Sequence, residues 1–282
     1  MERALAASVL LAAAFTASAQ VGTDPSWKAW NEPVRAFAIS ENISYIGAAE
    51  VSSFLIATPE GYIVIDTGFK ETVPRLQENL KALGVDPRKV KYLLSGHAHG
   101  DHVGGHADFK KLTGATIVAT AADAELMARG GKRDPMFGDS ITFDPVKADR
   151  IIKDGDTVEL GGVKLTAVLT PGHTKGCTTW TMTSRIEGKD YPVVFACSIS
   201  APGYKLVGNA AYPDVVSDFR ATFERLGKLD CQVFLTAHGS MFALDEKRKR
   251  VESGDKKAFV DPEGCKRYVT TNRAKFEALL LR

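Results

Sequence analysis

Short apolar runs rich in β-branched and aromatic residues alternate along this chain with stretches in which apolar residues recur at helical spacing. In the first third, runs bounded by Gly, Pro and Asn predict a meander of strands at residues 43–46, 51–57 and 62–66. Residues 71–83 have the helical period, with Pro74 in the first turn and Gly84 directly after the end. A short buried strand at residues 90–94 follows, and then a loop that runs into a helix at residues 100–111.

The rest of the chain repeats this alternation. Further strands are predicted at residues 116–119, 162–169, 178–183, 193–198 and 233–237. Helices are predicted at residues 121–129 and 214–226 and again near the C-terminus, whereas residues 130–150 form a polar stretch with Gly and Pro. Strands that alternate with helices through both halves predict a layered α/β protein.

Composition and charge describe an ordinary globular protein. Of the 282 residues, 44% are hydrophobic and 25% are charged, so the chain is long enough for a large core. The formal net charge of +2 gives no indication of a nucleic acid or an anionic membrane as a partner. We therefore expect neither partner.

The N-terminus has a pattern of its own. Glu2 and Arg3 precede an apolar run, and small residues follow it at 16–19, which predicts a secretory signal peptide at residues 1–19. The alternative is a membrane anchor, although about 12 apolar residues are too few to span a bilayer comfortably. We predict export to the periplasm, an irregular lead-in at residues 20–37, and a single domain at residues 38–282 that is monomeric.

Histidine and aspartate cluster directly after the predicted strand at residues 90–94. His97 and His99 are two residues apart, so at a strand end both imidazoles can lie on one side and converge on one metal ion. Asp101 and His102 follow where the chain turns into a helix, and they can face a second ion beside the first. Of the six histidines in the chain, four fall within ten residues, which argues against a chance cluster. Imidazole and carboxylate at this density suit zinc.

The two remaining histidines occupy similar positions. His173 and His238 each come just after a predicted strand. Loops at strand ends that each supply a histidine predict a metal site with several ligands at one edge of a sheet.

Two further residues near this pattern are interpreted as supporting residues rather than as ligands. His106 lies one helical turn after His102 but beyond two glycines, so we expect it to face solvent or to support a ligand. Asp66 ends a predicted strand. It either caps the turn after that strand or hydrogen-bonds a ligand or the backbone of the histidine-rich loop, and the second interpretation is favoured.

From residue 43 to the C-terminal helices the chain resembles the metallo-beta-lactamase superfamily, in His97-x-His99-x-Asp101-His102, Asp66-Thr67-Gly68, Pro171-Gly172-His173-Thr174 and His238. The resemblance implies a four-layer αβ/βα sandwich of two mixed sheets with helices outside. It does not specify the substrate, because lactonases, glyoxalase-type thioesterases, phosphodiesterases and nucleases share the motif.

The predicted strand at residues 193–198 reduces the number of activities that the resemblance allows. Superfamily members that act on lactones, thioesters or phosphodiesters usually carry a metal-bridging aspartate there, whereas this chain has no acidic residue between Val193 and Tyr212. Ser198 and Ser200 occupy the segment, which is similar to subclass B3 of the metallo-beta-lactamases. The segments at residues 201–206 and 259–265 also look like that subclass.

The resemblance implies two zinc ions, the first on His97, His99 and His173 and the second on Asp101, His102 and His238. It implies that zinc-bound hydroxide attacks the β-lactam ring of penicillins, cephalosporins and carbapenems, which would confer antibiotic resistance. Asp101 would orient the nucleophile and carry a proton, and Ser198 and Ser200 are candidates for binding the substrate carboxylate. The alternatives are a zinc hydrolase of another ester or lactone, and a non-catalytic zinc-binding protein.

The cysteines leave several arrangements open. Four cysteines can pair in three ways, and the spacing of Cys231 and Cys265 is similar to that of a pair in subclass B3. Cys177 and Cys197 are symmetric about residue 187, in the middle of a predicted hairpin turn at residues 186–190, which favours a thiol pair or a disulfide across two strands. The alternative is that Cys197 binds the second zinc, as a cysteine near this position does in another subclass.

Overall fold

Seven strands form the first sheet in the computed structural model, which describes residues 25–281. In chain order they are β1 (Phe37–Ala38), β2 (Ile43–Tyr45), β3 (Phe54–Thr58), β4 (Gly61–Ile65), β5 (Val90–Leu94), β6 (Thr116–Thr120) and β7 (Arg150–Ile152). Neighbours in the sequence are neighbours in the sheet. Strands β1 to β4 pair antiparallel, whereas β4 to β7 pair parallel through helical crossovers or a long loop.

The second sheet has five strands in the order β12-β11-β10-β9-β8. They are β8 (Thr157–Leu160), β9 (Val163–Leu169), β10 (Thr178–Ile186), β11 (Lys189–Ala196) and β12 (Val233–Thr236). Strands β8 to β11 pair antiparallel, and β12 joins β11 in parallel. Both sheets are therefore mixed.

Eight α-helices lie among the described residues, and the longer ones present an apolar stripe to a sheet. They are α1 (Pro25–Trp30), α2 (Val73–Ala82), α3 (Gly100–Val103), α4 (His106–Thr113), α5 (Ala121–Ala128), α6 (Val215–Leu226), α7 (Leu244–Glu252) and α8 (Pro262–Leu280). In α2, for example, Val73, Leu76 and Leu80 are buried at helical spacing, and the chain leaves the helix through Gly84, whose φ is +70°.

The core is divided by the first sheet because its strands are apolar on both faces. In β4, Ile63 and Ile65 face the second sheet and join the larger apolar cluster. Val64 between them points the other way, into a cluster with residues such as Leu76 of α2 and Phe109 of α4. Two sheets packed face to face with helices outside confirm the predicted fold class.

Two details differ from the sequence prediction. Strand β7 begins at the last residue of the stretch predicted as loop, and β8 lies between that stretch and the next predicted strand. Both were missed because runs of three and four residues carry little periodic signal. The predicted irregular lead-in contains α1, whose Trp27 and Trp30 pack against a small cluster with Phe69. The predicted signal peptide lies outside the described residues. No helix among residues 25–281 combines the length and apolar character needed to cross a membrane.

Candidate metal centre

The loop after β5 carries four of the six candidate ligands. His97 and His99 precede α3, and Asp101 and His102 lie in its single turn. Gly96, near the start of this loop, lies so close to Asp66 that a side chain would not fit. A Cβ at this position would lie 2.8 Å from Oδ2 of Asp66. The close approach fixes the loop against the end of β4.

The other two candidates follow strands of the second sheet. His173 lies in the loop between β9 and β10, and His238 lies two residues beyond the end of β12. The loop of His238 is paired with the segment before β3, since the amide of Ser52 donates to the carbonyl of Ala237 at 2.9 Å and that of Gly239 to the carbonyl of Glu50 at 2.8 Å. Three loops from two sheets therefore meet at one edge.

Three buried histidines form the first set of donor atoms. One donor nitrogen each of His97, His99 and His173 lies within 4.8 Å of the other two, and Nδ1 of His99 is 3.1 Å from Nε2 of His173. Tetrahedral zinc with Zn–N bonds of about 2.0–2.1 Å separates its ligand nitrogens by roughly 3.3–3.4 Å. The three-histidine set therefore has the size of a single zinc site.

A second set of donors lies beside the first. Oδ2 of Asp101 is 3.1 Å from Nε2 of His102 and 3.6 Å from Nε2 of His238. One donor atom each of His97, Asp101 and His102 also lies within 4.8 Å of the other two, so His97 lies next to both sets. The structure thus brings together all six residues that the sequence pattern selected.

The donor atoms fit a metal because several have no other partner. Both ring nitrogens of His97 and Nδ1 of His102 are buried without a hydrogen-bond partner among the described residues, whereas Nε2 of His102 lies 3.1 Å from Oδ2 of Asp101. Each buried polar atom left unpaired costs about 1–3 kcal/mol. A bound cation would provide the missing interaction for one nitrogen of each ring.

The protonation states also suit metal binding. Burial lowers the pKa of His97 and His173 well below the ordinary value and lowers that of His238 to about 4, so these rings are neutral at pH 7. Burial alone would raise the pKa of Asp101, but the nearby charge of His102 outweighs it and holds that pKa below its usual range. His102 differs from these rings: burial lowers its pKa, but the charges of Asp101 and Asp66 and the contact with Asp101 outweigh burial and raise it. Neutral imidazoles and an ionised carboxylate are the forms that bind zinc, so zinc would displace the proton from His102.

Asp66 supports the loop, as the favoured interpretation held. Its Oδ1 accepts a hydrogen bond from the amide of Gly96 at 2.7 Å, and its Oδ2 lies 3.8 Å from Nδ1 of His102. The residue has a φ of +56°, in the left-handed region, which is strained for a non-glycine residue. Burial raises its pKa to about 7.

His106 does not face solvent, and that part of its interpretation is wrong. The ring is fully buried, with Nδ1 2.8 Å from Oγ1 of Thr67 and Nε2 3.0 Å from Oγ of Ser95. The two glycines before it, Gly104 and Gly105, let the start of α4 lie close to the segment at residues 67–73 that follows β4, which buries the ring. Since both ring nitrogens contact hydroxyl groups, His106 is interpreted as a support for the loop after β5, through Ser95, and not as a metal ligand.

His106 should make the metal-free protein sensitive to acid. Burial lowers its pKa from 6.5 to about 3, so between these values the unfolded chain binds a proton that the folded chain does not. Stability is then lost as the pH falls below about 6.5, by about 1.4 kcal/mol per pH unit. From pH 7 to pH 5, the free energy of unfolding should fall by about 2 kcal/mol more in the wild type than in His106→Gln, as urea titrations would measure. Equal pH dependence in the two proteins would contradict this.

The cysteines form disulfides, Cys177 with Cys197 and Cys231 with Cys265. The structural interpretation of Cys197 is therefore confirmed. The predicted centre of the hairpin, residue 187, is wrong by half a residue. Strands β10 and β11 pair Ile186 with Lys189, so the turn is centred between residues 187 and 188. The two cysteines lie beyond the last ladder pair, where the strands are free to bring their Cα atoms within 6.0 Å.

Of the two candidate substrate-binding serines, Ser200 contacts the three-histidine set. The carbonyl of Ser200 accepts a hydrogen bond from Nδ1 of His173 at 2.7 Å, and the residue is half-buried. The hydroxyl of Ser198 is buried and has no hydrogen-bond partner in the described part of the chain.

Four contacts to the histidines were not predicted. Oδ2 of Asp134 lies 3.5 Å from Nε2 of His99, and Oε1 of Glu50 lies 3.9 Å from Nδ1 of His238. The hydroxyl of Tyr204 donates to the carbonyl of His173 at 3.0 Å, and the ring of Trp30 meets that of His238 edge-on. Nothing local in the sequence marks these residues, because each reaches the site only through the folded loops.

Comparisons with known proteins agree with this geometry. A sequence model described as the metallo-beta-lactamase superfamily matches residues 46–238. Curated relatives match over shorter segments: a probable metallo-hydrolase of Burkholderia pseudomallei is 32% identical over 118 residues, covering 41% of this chain and 38% of that protein. A hydroxyacylglutathione hydrolase of Hyphomonas neptunium is 32% identical over 120 residues, covering 41% and 40%. The match thus spans about two fifths of the length of these relatives.

Solved structures are similar over most of the chain. A metallo-beta-lactamase of Cronobacter sakazakii with a HARLDQ motif is 41% identical, with a TM-score of 0.88 over 91% of this chain and 98% of that one. The native metallo-beta-lactamase of Legionella gormanii is 39% identical, with a TM-score of 0.87 over 89% and 97%. A subclass B3 metallo-beta-lactamase of Bradyrhizobium japonicum is 35% identical, with a TM-score of 0.86 over 91% and 97%.

The HARLDQ motif of the Cronobacter sakazakii protein corresponds in length to residues 97–102 of this chain. Both begin with His-Ala and have Asp in the fifth place. This chain has His99 and His102 where that motif has arginine and glutamine. The present chain therefore offers two more imidazoles in this loop than that relative does.

Proposed function

This chain belongs to the metallo-beta-lactamase superfamily, and we propose that it is a di-zinc hydrolase that opens the β-lactam ring of penicillins, cephalosporins and carbapenems. The observation that supports this most directly is the convergence of two donor sets around His97, with buried nitrogens that lack other partners. The likeness to solved metallo-beta-lactamases over about nine tenths of the chain supports the substrate class.

The six residues form two sets of three, and each set would bind one ion. One ion would be held by His97, His99 and His173, and the other by Asp101, His102 and His238. Zinc supplies a Lewis acid and lowers the pKa of a water that it binds towards about 7. Asp101 is ionised, so it can orient the attacking water by accepting a hydrogen bond and can pass a proton towards the ring nitrogen.

The substrate carboxylate needs hydrogen-bond donors near the ions. We assign this role to Ser198 and Ser200, because one hydroxyl has no partner and the other residue is fixed directly beside His173. The absence of any acidic residue between Val193 and Tyr212 supports the assignment, since a carboxylate there would repel an anionic substrate.

We also propose that the mature chain acts in the periplasm. The predicted signal peptide at residues 1–19 supports this, as do the two disulfides, which persist in oxidising compartments. The proposed working form is a monomer with a small-molecule substrate.

Removal of metal tests the function. Purified protein should hydrolyse a penicillin, a cephalosporin and a carbapenem, and dialysis against EDTA should lower the rate by at least about a hundredfold. Addition of zinc should restore it, with circular dichroism confirming that the protein stays folded throughout. Full activity in EDTA, or no hydrolysis of any β-lactam by zinc-loaded protein, would reject the proposal.

One relative favours a second candidate, a hydrolase of esters or thioesters. The hydroxyacylglutathione hydrolase of Hyphomonas neptunium is 32% identical to this chain over the matched 120 residues, and one fold can carry several hydrolytic activities. Rates on an acyl-homoserine lactone and a glutathione thioester, measured beside those on β-lactams, separate the two. A value of kcat/KM higher for either ester than for every β-lactam would favour the second candidate.

A further inference from the structure

A buried carboxylate outside the six candidate ligands connects the two loops that carry the three-histidine set. Asp123, in the first turn of α5, is only 2% exposed. Its Oδ2 accepts a hydrogen bond from the amide of Ala98 at 3.0 Å and from Oγ1 of Thr174 at 3.2 Å, and its Oδ1 accepts one from the amide of Gly176 at 3.1 Å. Ala98 lies between two candidate ligands, and Thr174 directly follows the third.

The contacts of this side chain are not those of a helix cap. The N-terminus of α5 is capped by Thr120, whose Oγ1 accepts from the amide of Asp123. In the described part of the chain, every hydrogen bond of the Asp123 carboxylate goes to the two histidine loops. Three donors surround it, and a carboxylate is the side chain that only accepts. Burial raises its pKa to about 6, so it remains mainly ionised at pH 7.

Gly176 provides a second, independent observation. A Cβ at this position would lie 2.5 Å from Cγ and Oδ1 of Asp123 and 2.2 Å from Oγ1 of Thr120. No positive φ requires glycine there, so the close approach of Thr120 and of the Asp123 carboxylate is what excludes a side chain. The His173 loop therefore packs directly against the start of α5, where Thr120 and Asp123 lie.

We propose that Asp123 is a positioning residue that fixes the His173 loop relative to His97 and His99 and so sets the zinc affinity of the three-histidine set. The inference rests on the proposed function, since it presupposes that this set holds a metal. Its physical basis is that a single rigid acceptor holds two loops that are about 75 residues apart in the chain, and their relative position decides whether three nitrogens meet at one ion.

Graded substitutions test the proposal. Asp123→Asn keeps the size but turns an N–H towards a donor, Asp123→Ala removes all three hydrogen bonds, and Thr174→Val removes only one. The zinc affinity of one of the two sites, measured by competition with a chromophoric chelator, should fall about 10- to 100-fold in the alanine variant, with the other two between it and the wild type. Amide hydrogen exchange at Ala98 and Gly176 should accelerate in the same order.

A matched control separates positioning from general stability. Asp261 is another partly buried carboxylate, in ion pairs with Lys247 and Arg267, and it contacts none of the six candidate ligands. Asp261→Asn should lower the free energy of unfolding without changing zinc affinity. In the Asp123 variants, kcat at limiting zinc should fall and recover with excess zinc, while KM stays within about twofold of the wild type.

The outcomes distinguish this inference from the function on which it rests. If wild-type protein binds no zinc, the proposed function fails and the inference falls with it. Suppose that the wild type binds zinc and hydrolyses β-lactams. If Asp123→Ala then binds zinc as tightly as the wild type at both sites, only the inference is overturned. Should that variant not fold, the same result in Thr174→Val and Asp123→Asn overturns it. Loss of affinity in Asp261→Asn equal to that in the Asp123 variants would also overturn it.

Discussion

Replacing His97 with alanine should lower β-lactam hydrolysis by about a thousandfold or more and remove one equivalent of bound zinc. His97 is the one candidate ligand that lies next to both donor sets, and its ring is fully buried with both nitrogens unpaired. A metal ion contributes several kcal/mol to stabilising the transition state, and each 1.36 kcal/mol corresponds to about a tenfold change in rate. Rates on a chromogenic cephalosporin and zinc content by atomic absorption would measure both effects.

The matched control for this experiment is His106. It is a buried histidine nine positions along the same segment, but both of its ring nitrogens contact hydroxyl groups. His106→Gln should therefore bind the same number of zinc ions as the wild type. If His97→Ala kept both equivalents of zinc and its rate, the three-histidine set would not be a metal site, and the proposed chemistry would lose its basis.

The sequence was most informative where chemistry and local geometry coincide. His97 and His99 are two residues apart at a strand end, and Asp101 and His102 follow in a helical turn, so the spacing alone places four donors together. His173 and His238 could be added because each follows a strand. No spacing, however, measures the distance between loops of different sheets, which the structure supplies as 3.1 Å between Nδ1 of His99 and Nε2 of His173.

The residues that sequence reasoning missed act through tertiary contacts. Asp123 and Asp134 are ordinary helix and loop residues by pattern, and only the fold turns their carboxylates towards the histidine loops. The wrong surroundings predicted for His106 have the same origin, because two glycines in a sequence indicate a loop but do not reveal that a helix packs tightly against it. Short strands such as β7 were missed because pairing with β6, rather than periodicity, defines them.

Trp180 should be among the most sensitive positions for stability. It is fully buried in β10, opposite Phe195 on one side and Ala167 on the other. Its indole Nε1 donates to the carbonyl of Ser95 at 3.1 Å, which connects the second sheet to the loop after β5. Trp180→Ala should lower the free energy of unfolding by about 3–5 kcal/mol in urea titrations, since it leaves a large cavity.

Two further tryptophan variants separate packing from the hydrogen bond. Trp27→Ala is the matched control, because Trp27 is only half-buried against Phe69 and should cost about 1 kcal/mol. Trp180→Phe keeps an aromatic ring but leaves the Ser95 carbonyl without its donor, which costs about 1–3 kcal/mol in a buried site. Because Ser95 is the first residue of the loop after β5, the loss of stability in Trp180→Phe should be accompanied by faster amide exchange in residues 95–99. A phenylalanine variant as stable as the wild type would show that Trp180 acts by filling the core alone.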